Sequence, residues 1–255
     1  PISWGRLHAV DWPLLAGVLV ATLLGAAMLY SATLRGGPTA SAWDDLVIKQ
    51  AVFALISLVV LTAVAATDYR LLVAFAPLLY GITVVALLAI LVSGTILLGS
   101  QRWFDLGVLV VQPSELTKLV LVITLAAFWE RFDVRRMRYV LLSLVIVAVP
   151  AVLVLLQPNL STAILLAFIW LGVAVVAGIR PLHLGWLALA ATPVVTFVFR
   201  AGLIQSYQLE RIAALIDPMA DPRGAGYQNI QTLLAVGNGG LTGTGFASGL
   251  QSQGG

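Results

Sequence analysis

With 255 residues, of which 60% are hydrophobic and only 10% charged, and a mean hydropathy of +1.02, the chain holds far less charge than the roughly 25% of a soluble domain. That composition defines an integral membrane protein, and the absence of cysteine excludes disulfide frameworks, zinc–thiolate sites and a cysteine nucleophile. The net charge of +3 sits mostly in one loop, which speaks for orientation in a membrane and against nucleic-acid binding.

A helix needs about 20 apolar residues to cross the hydrocarbon core. Residues 12–32 qualify, after a polar leader with Arg6, His8 and Asp11. That first run has no small-residue cleavage pattern behind it, so no removable signal is expected. A Gly/Pro/Ser loop with Asp44 and Asp45 follows, then an uncharged second span at 50–67, the polar turn Asp68-Tyr69-Arg70 and a third span at 71–93 with Pro77 inside it. The stretch 99–119, GSQRWFDLGVLVVQPSELTKL, reads as a polar loop leading into a fourth span that runs to about Glu130. Gln112 is a plausible helix cap, Pro113 suits the first turn, and Glu115 suits the positive helix end. Spans at 139–156, 160–179 and 182–199 follow, the first two joined by the turn Gln157-Pro158-Asn159. Residues 200–230 are polar and turn-rich, a long loop with a short helix near Leu209–Ile216, and loops of that length are usually functional. An eighth span could begin at Thr232–Val236, though five glycines from Gly237 to Gly245 make it irregular. The expected fold is an all-α polytopic membrane protein, with 1–255 as one transmembrane domain and 200–230 as a large extracytoplasmic loop within it. The chain opens on Pro1 and closes on Gly254-Gly255 without a closing element, as a fragment would.

Four arginines in the loop 130–138 mark it as cytoplasmic. Counting spans from there puts 99–112, 157–159 and 200–228 together on the outer face. Glu115 and Lys118, three apart on a helix, share a face. They are either a neutralising ion pair at the start of a lipid-facing helix, or a site in which Lys118 binds an anionic ligand and Glu115 tunes it. Arg102 and Trp103 lie just upstream, and a tryptophan at an interface is ordinarily an anchor. Asp217 and Asp221 stand in two Asp-Pro turns, which form solvated loops; either carboxylate could instead be a general base, with Arg211 and Arg223 nearby. His183 reads as structural, Gln157-Pro158-Asn159 as a plain turn, and no metal-ligand spacing is evident.

Three motifs carry more than spacing. GSQRWFDLG…QPSELTKL, the segment QPNLSTA at 157–163, and RIAALIDPMADPRGAGYQNIQTLLAVGNGGLTGTGFASGLQSQ together resemble the SEDS family (shape, elongation, division and sporulation), with the RodA branch favoured over FtsW. The resemblance implies a ten-helix fold, with seven helices and the large outer loop present here and the last three beyond the end of this sequence. It implies a peptidoglycan glycosyltransferase that polymerises lipid II, a disaccharide-pentapeptide on undecaprenyl diphosphate, at the outer face of the bacterial inner membrane. A class B penicillin-binding protein and membrane lipid are the implied partners. The resemblance assigns no definite cofactor and leaves room for a divalent cation. Asp221 is the implied catalytic base, with Asp217 as the alternative. Arg102, Trp103, Gln112, Ser114, Glu115, Lys118 and Arg211 are the implied substrate-binding residues. A flippase for the same precursor, or a scaffold for the penicillin-binding protein, are the competing readings. Asn159 and Ser161 depart from the family's QPDLGTA, which removes a charge at Asn159.

Overall fold

The computed structural model describes residues 11–33, 46–97, 100–105, 110–200, 206–246 and 248–249. The seven predicted apolar segments are seven helices: α1 Trp12–Thr33, α2 Leu46–Ala66, α3 Tyr69–Ser93, α4 Pro113–Arg131, α5 Met137–Leu156, α6 Leu160–Val176 and α7 Pro181–Arg200. Among the described residues α1, α2, α3 and α5 are long and apolar enough to cross a membrane. Helix α6, at 17 residues, is near the short limit for a span. Helix α4 keeps its charges at its two ends, Glu115 and Lys118 at one and Glu130 and Arg131 at the other. The fold is nearly all-α and polytopic, and the chain is a multi-pass membrane protein.

It divides into two compact units, Thr67–Phe197 and a second made of Pro1–Ala66 with Val198–Gly255. In the first, α3, α4, α5 and α6 pack on one another. Most of their buried positions fall on single stripes. On α5 these are Val140, Ser143, Val147, Pro150 and Val154; on α4, Ser114, Thr117, Leu121 and Leu125. Spacing of three and four keeps each stripe on one face of its helix. Leu87, Leu121, Leu125, Val140, Val154, Leu166 and Trp170 form the centre of the core. Two hydrogen bonds pin helices that apolar packing alone would let slide. Trp170 Nε1 donates to Ser143 Oγ at 2.9 Å, and the Tyr80 hydroxyl donates to the Ile146 carbonyl at 2.8 Å. The turn at 68–70 starts α3, because the Asp68 carboxylate accepts from the Arg70 N–H at 2.9 Å and so caps the helix.

The stretch expected as a polar loop before α4 is built of strands. Strands β1 Thr95–Leu97, β2 Ser100–Asp105 and β3 Val110–Val111 form an antiparallel sheet in the order β1-β2-β3, with Trp103 opposite Thr95 and Phe104 opposite Val111. Aromatic and β-branched residues at the paired positions favour the extended chain over a loop. Strand β2 packs against α3 and α4.

In the second unit α1 and α2 pack together, and neither has a buried residue. The segment expected as a long loop is more ordered than its polarity suggests. It holds α8 Ser206–Ile216, a 3-10 turn Pro218–Ala220 and α9 Tyr227–Gly239. The short helix expected near Leu209–Ile216 is the body of α8. Asn229 Nδ2 donates to the Ala214 carbonyl at 2.9 Å and ties α9 to α8. Helix α9 covers the place expected to begin an eighth span, but its 13 residues are too few to cross a bilayer. It runs through Gly237 and Gly239 and stops at Gly240, where φ is +52° and a side chain would be strained.

Candidate functional site

The strand-built platform comes first. Arg102 projects from β2 to the turn between α5 and α6, where its Nε donates to the Gln157 carbonyl at 3.0 Å and its Nη2 to the Pro158 carbonyl. The guanidinium is thus engaged by backbone oxygens, a fork that suits two neighbouring acceptors. These contacts fasten β2 to the α5–α6 turn. Gln157 is almost fully buried, and its Nε2 donates to the Leu87 carbonyl of α3 at 3.1 Å. A turn that read as needing no function therefore joins β2, α3, α5 and α6. The signal for it was present: an uncharged polar residue flanked by two apolar spans must find partners inside the protein.

Asn159, which departs from the family's acidic residue, caps α6. Its Oδ1 accepts from the Thr162 N–H at 3.3 Å. An amide oxygen serves an N-cap as a carboxylate oxygen does, so the departure costs this helix end nothing that its hydrogen bonding requires.

Helix α4 starts at Pro113, with Gln112 in the capping position but without a side-chain capping bond. Ser114 is fully buried, so its hydroxyl has no surface to offer a ligand. Glu115, exposed in the first turn, complements the positive helix end. Lys118 Nζ donates to Glu115 Oε2 at 2.6 Å. The pairing that their spacing allows is thereby observed. The lysine is about a quarter exposed and the glutamate about half exposed, at 26% and 56%, so both charges reach the surface and a stronger anion could displace the glutamate. Trp103 is half-buried in β2, opposite Thr95.

The second unit holds the two aspartates. Asp217 caps the 3-10 turn, its carboxylate accepting from the Met219 N–H at 3.0 Å. Asp221 accepts from two backbone donors, Gly224 N–H on Oδ1 and Ala225 N–H on Oδ2, both at 3.0 Å. Both side chains belong to exposed residues. Asp217 serves one backbone donor and Asp221 two, one on each oxygen, so the Asp221 carboxylate is the more firmly fixed. The Gly-Ala-Gly run makes that grip feasible. A Cβ at Gly224 would fall onto the Asp221 carboxylate; one at Gly226 would fall onto the Pro218 carbonyl oxygen and lie 2.7 Å from the Asp221 carbonyl oxygen. Sequence alone passes over these two glycines, because their requirement is a close approach of backbone, which it does not display. Arg211 belongs to α8, and its side chain lies outside the described residues. Among the described residues no three His, Asp or Glu side chains are grouped so as to hold a metal ion.

A helical membrane protein with a charged helix start on a strand platform, and a backbone-held carboxylate in a helical loop, defines a narrow class. A family model described as "Cell cycle protein", covering FtsW, RodA and SpoVE, matches residues 12–254. The chain belongs to this FtsW/RodA/SpoVE family. It is 38% identical over 201 residues to "Peptidoglycan glycosyltransferase MrdB" of Escherichia coli (strain K12), a match covering 77% of this chain and 53% of that protein. It resembles a chain of a solved peptidoglycan synthase complex, described as showing structural coordination of polymerization and crosslinking, with TM-score 0.75 and 34% identity over 91% of this chain and 67% of that one. It also resembles the crystal structure of the rod shape determining protein RodA of Thermus thermophilus, with TM-score 0.58 and 27% identity over 96% of this chain and 93% of that one. The chain spans about half the length of the MrdB protein that it matches.

Proposed function

We propose that the protein containing this chain is a peptidoglycan glycosyltransferase that polymerises lipid II at the outer face of the bacterial inner membrane, in cell elongation and shape maintenance. The observation that carries the reading is the 38% identity to a protein named peptidoglycan glycosyltransferase, over 77% of this chain. The resemblance to a chain of a synthase complex for polymerization and crosslinking supports a crosslinking partner, which we take to be a class B penicillin-binding protein.

The chemistry assigns roles one by one. Asp221 deprotonates the acceptor sugar hydroxyl, which attacks the anomeric carbon of the donor as the diphosphate leaves. A base must be held where it can reach the proton, and the two backbone N–H donors fix the Asp221 carboxylate without a side-chain partner. Lys118 stabilises charge developing on the diphosphate, and Glu115 keeps the lysine oriented until the substrate displaces it. Arg102 acts through the α5–α6 turn as a positioning residue. Trp103 anchors the platform at the interface.

The test is Asp221→Asn in the complete protein, assayed for glycan strands from purified lipid II. Asparagine retains one amide oxygen for the loop but cannot take a proton, so polymerisation falls by about 10²–10⁴-fold, while lipid II binding is kept. Polymerisation at the parent rate overturns the base assignment. Transfer of lipid II across vesicle membranes by a variant and a parent that both make no polymer would favour the flippase.

A further inference from the structure

One side of the Thr67–Phe197 unit carries an open apolar groove. Between the first turns of α3, the last turns of α4 and the middle of α5 lies a cavity of about 270 Å³, lined by Ala76, Pro77, Tyr80, Ala127, Phe128 and Ile146, with Arg131 and Phe132 at its rim. That volume far exceeds the roughly 30 Å³ share of one water. Apart from Arg131, the polar side chains of its wall are already engaged. The Tyr80 hydroxyl is spent on the Ile146 carbonyl at 2.8 Å, and the Thr124 hydroxyl on the Val120 carbonyl at 2.8 Å. One wall is stiffened by stacked aromatics: Phe128 lies 4.7 Å from Phe132, and Phe132 lies 4.8 Å from Tyr139, over which the Arg138 guanidinium sits at 4.5 Å.

Among the lining residues Arg131 is the only charged one, with the exposed Glu130 beside it in the chain. Arg131 is exposed and makes no ion pair or hydrogen bond among the described residues. Arg135 follows in the loop and Arg138 in the first turn of α5, while the nearby Asp133 is turned to Arg136 at 3.6 Å. An apolar chamber without free polar groups, opening beneath an unpaired guanidinium, has the chemistry of an amphiphile with an apolar tail and an anionic head. The positive-inside rule places this rim at the cytoplasmic face, whose leaflet is the one rich in anionic lipid.

We propose that this cavity binds one acyl chain of an anionic phospholipid of the cytoplasmic leaflet, with Arg131 on its phosphate. The site is separate from the platform at the opposite end of α4 and takes a different lipid from the one polymerised there. The lipid completes the packing of α3, α4 and α5, and makes stability depend on anionic lipid.

Native mass spectrometry of the complete protein, with phosphatidylglycerol or phosphatidylcholine added, tests this. The parent protein retains one phosphatidylglycerol under activation that strips phosphatidylcholine. Arg131→Gln lowers that retention about tenfold, the effect of losing one charge-assisted hydrogen bond. Ala127→Leu, which fills the chamber with side chain, abolishes retention while leaving the melting temperature of the lipid-free protein unchanged or raised. Equal retention of the two lipids overturns the proposal. So does phosphatidylglycerol retention unaltered by Ala127→Leu, or no retained lipid at all, which would mean that another protein segment covers the cavity.

Discussion

Asp221 and the two glycines that follow it form a unit smaller than any secondary-structure element. The carboxylate accepts from the Gly224 and Ala225 N–H groups, and neither glycine position has room for a Cβ. At Gly226 the obstacle is backbone, the Pro218 carbonyl, which cannot step aside as a flexible side chain could. Gly226→Ala is therefore expected to open the segment 217–227, seen as faster amide hydrogen exchange there with far-ultraviolet circular dichroism unchanged. It is expected to reduce polymerisation as severely as Asp221→Asn. Parent-like exchange in this segment would contradict the argument. Of this constellation the sequence displayed the aspartate and its turn chemistry. It did not display the glycine requirement, because distances between residues 218 and 226 exist only once the loop is closed.

At the scale of elements, the platform depends on one side chain crossing from a strand to a turn. Arg102 supplies donors to two adjacent carbonyls, and Gln157 carries the connection on to α3. Arg102→Met leaves those carbonyls without this donor, and is expected to destabilise the protein by about 1.5–3 kcal/mol, the range for hydrogen bonds to charged groups. Arg102→Lys recovers only part of that, since an ammonium cannot fork to two acceptors in a plane as a guanidinium does. Thermal unfolding of the detergent-solubilised protein measures both, and identical melting temperatures for parent and Arg102→Met would exclude the anchoring role. The sequence located Arg102 but not the turn that it reaches. An arginine beside a lipid-facing helix calls for an acceptor, and a bound anion meets that need as well as a buried turn does. Glu115 and Lys118 were legible because their contact is local, fixed by three residues of helix, whereas the reach from residue 102 to residue 157 is set by tertiary packing.

For the whole molecule the orientation is open to direct measurement. These 255 residues contain no cysteine, so a single thiol introduced among them has no background from this part of the protein. Arg135→Cys is expected to be protected from a membrane-impermeant maleimide in intact cells, and Met219→Cys to be labelled; the reverse pattern would invert the topology. By itself the sequence determined the membrane class, the seven helices and most of their limits, because apolar length and polar turns are local properties that a bilayer imposes on any chain. It also determined the family, since the motifs survive as strings. Only the tertiary structure decided which face of each helix is buried. In α3 to α6 the outward face is as apolar as the inward one, so no periodicity distinguishes Val140, Val147 and Val154 from their lipid-facing neighbours. It also decided that polar stretches could be strand and helix. The backbone of 100–105 finds its hydrogen bonds in adjacent strands, and that of 206–239 largely in its own helical turns. Which of those solutions a polar segment takes depends on neighbours that only the folded chain supplies.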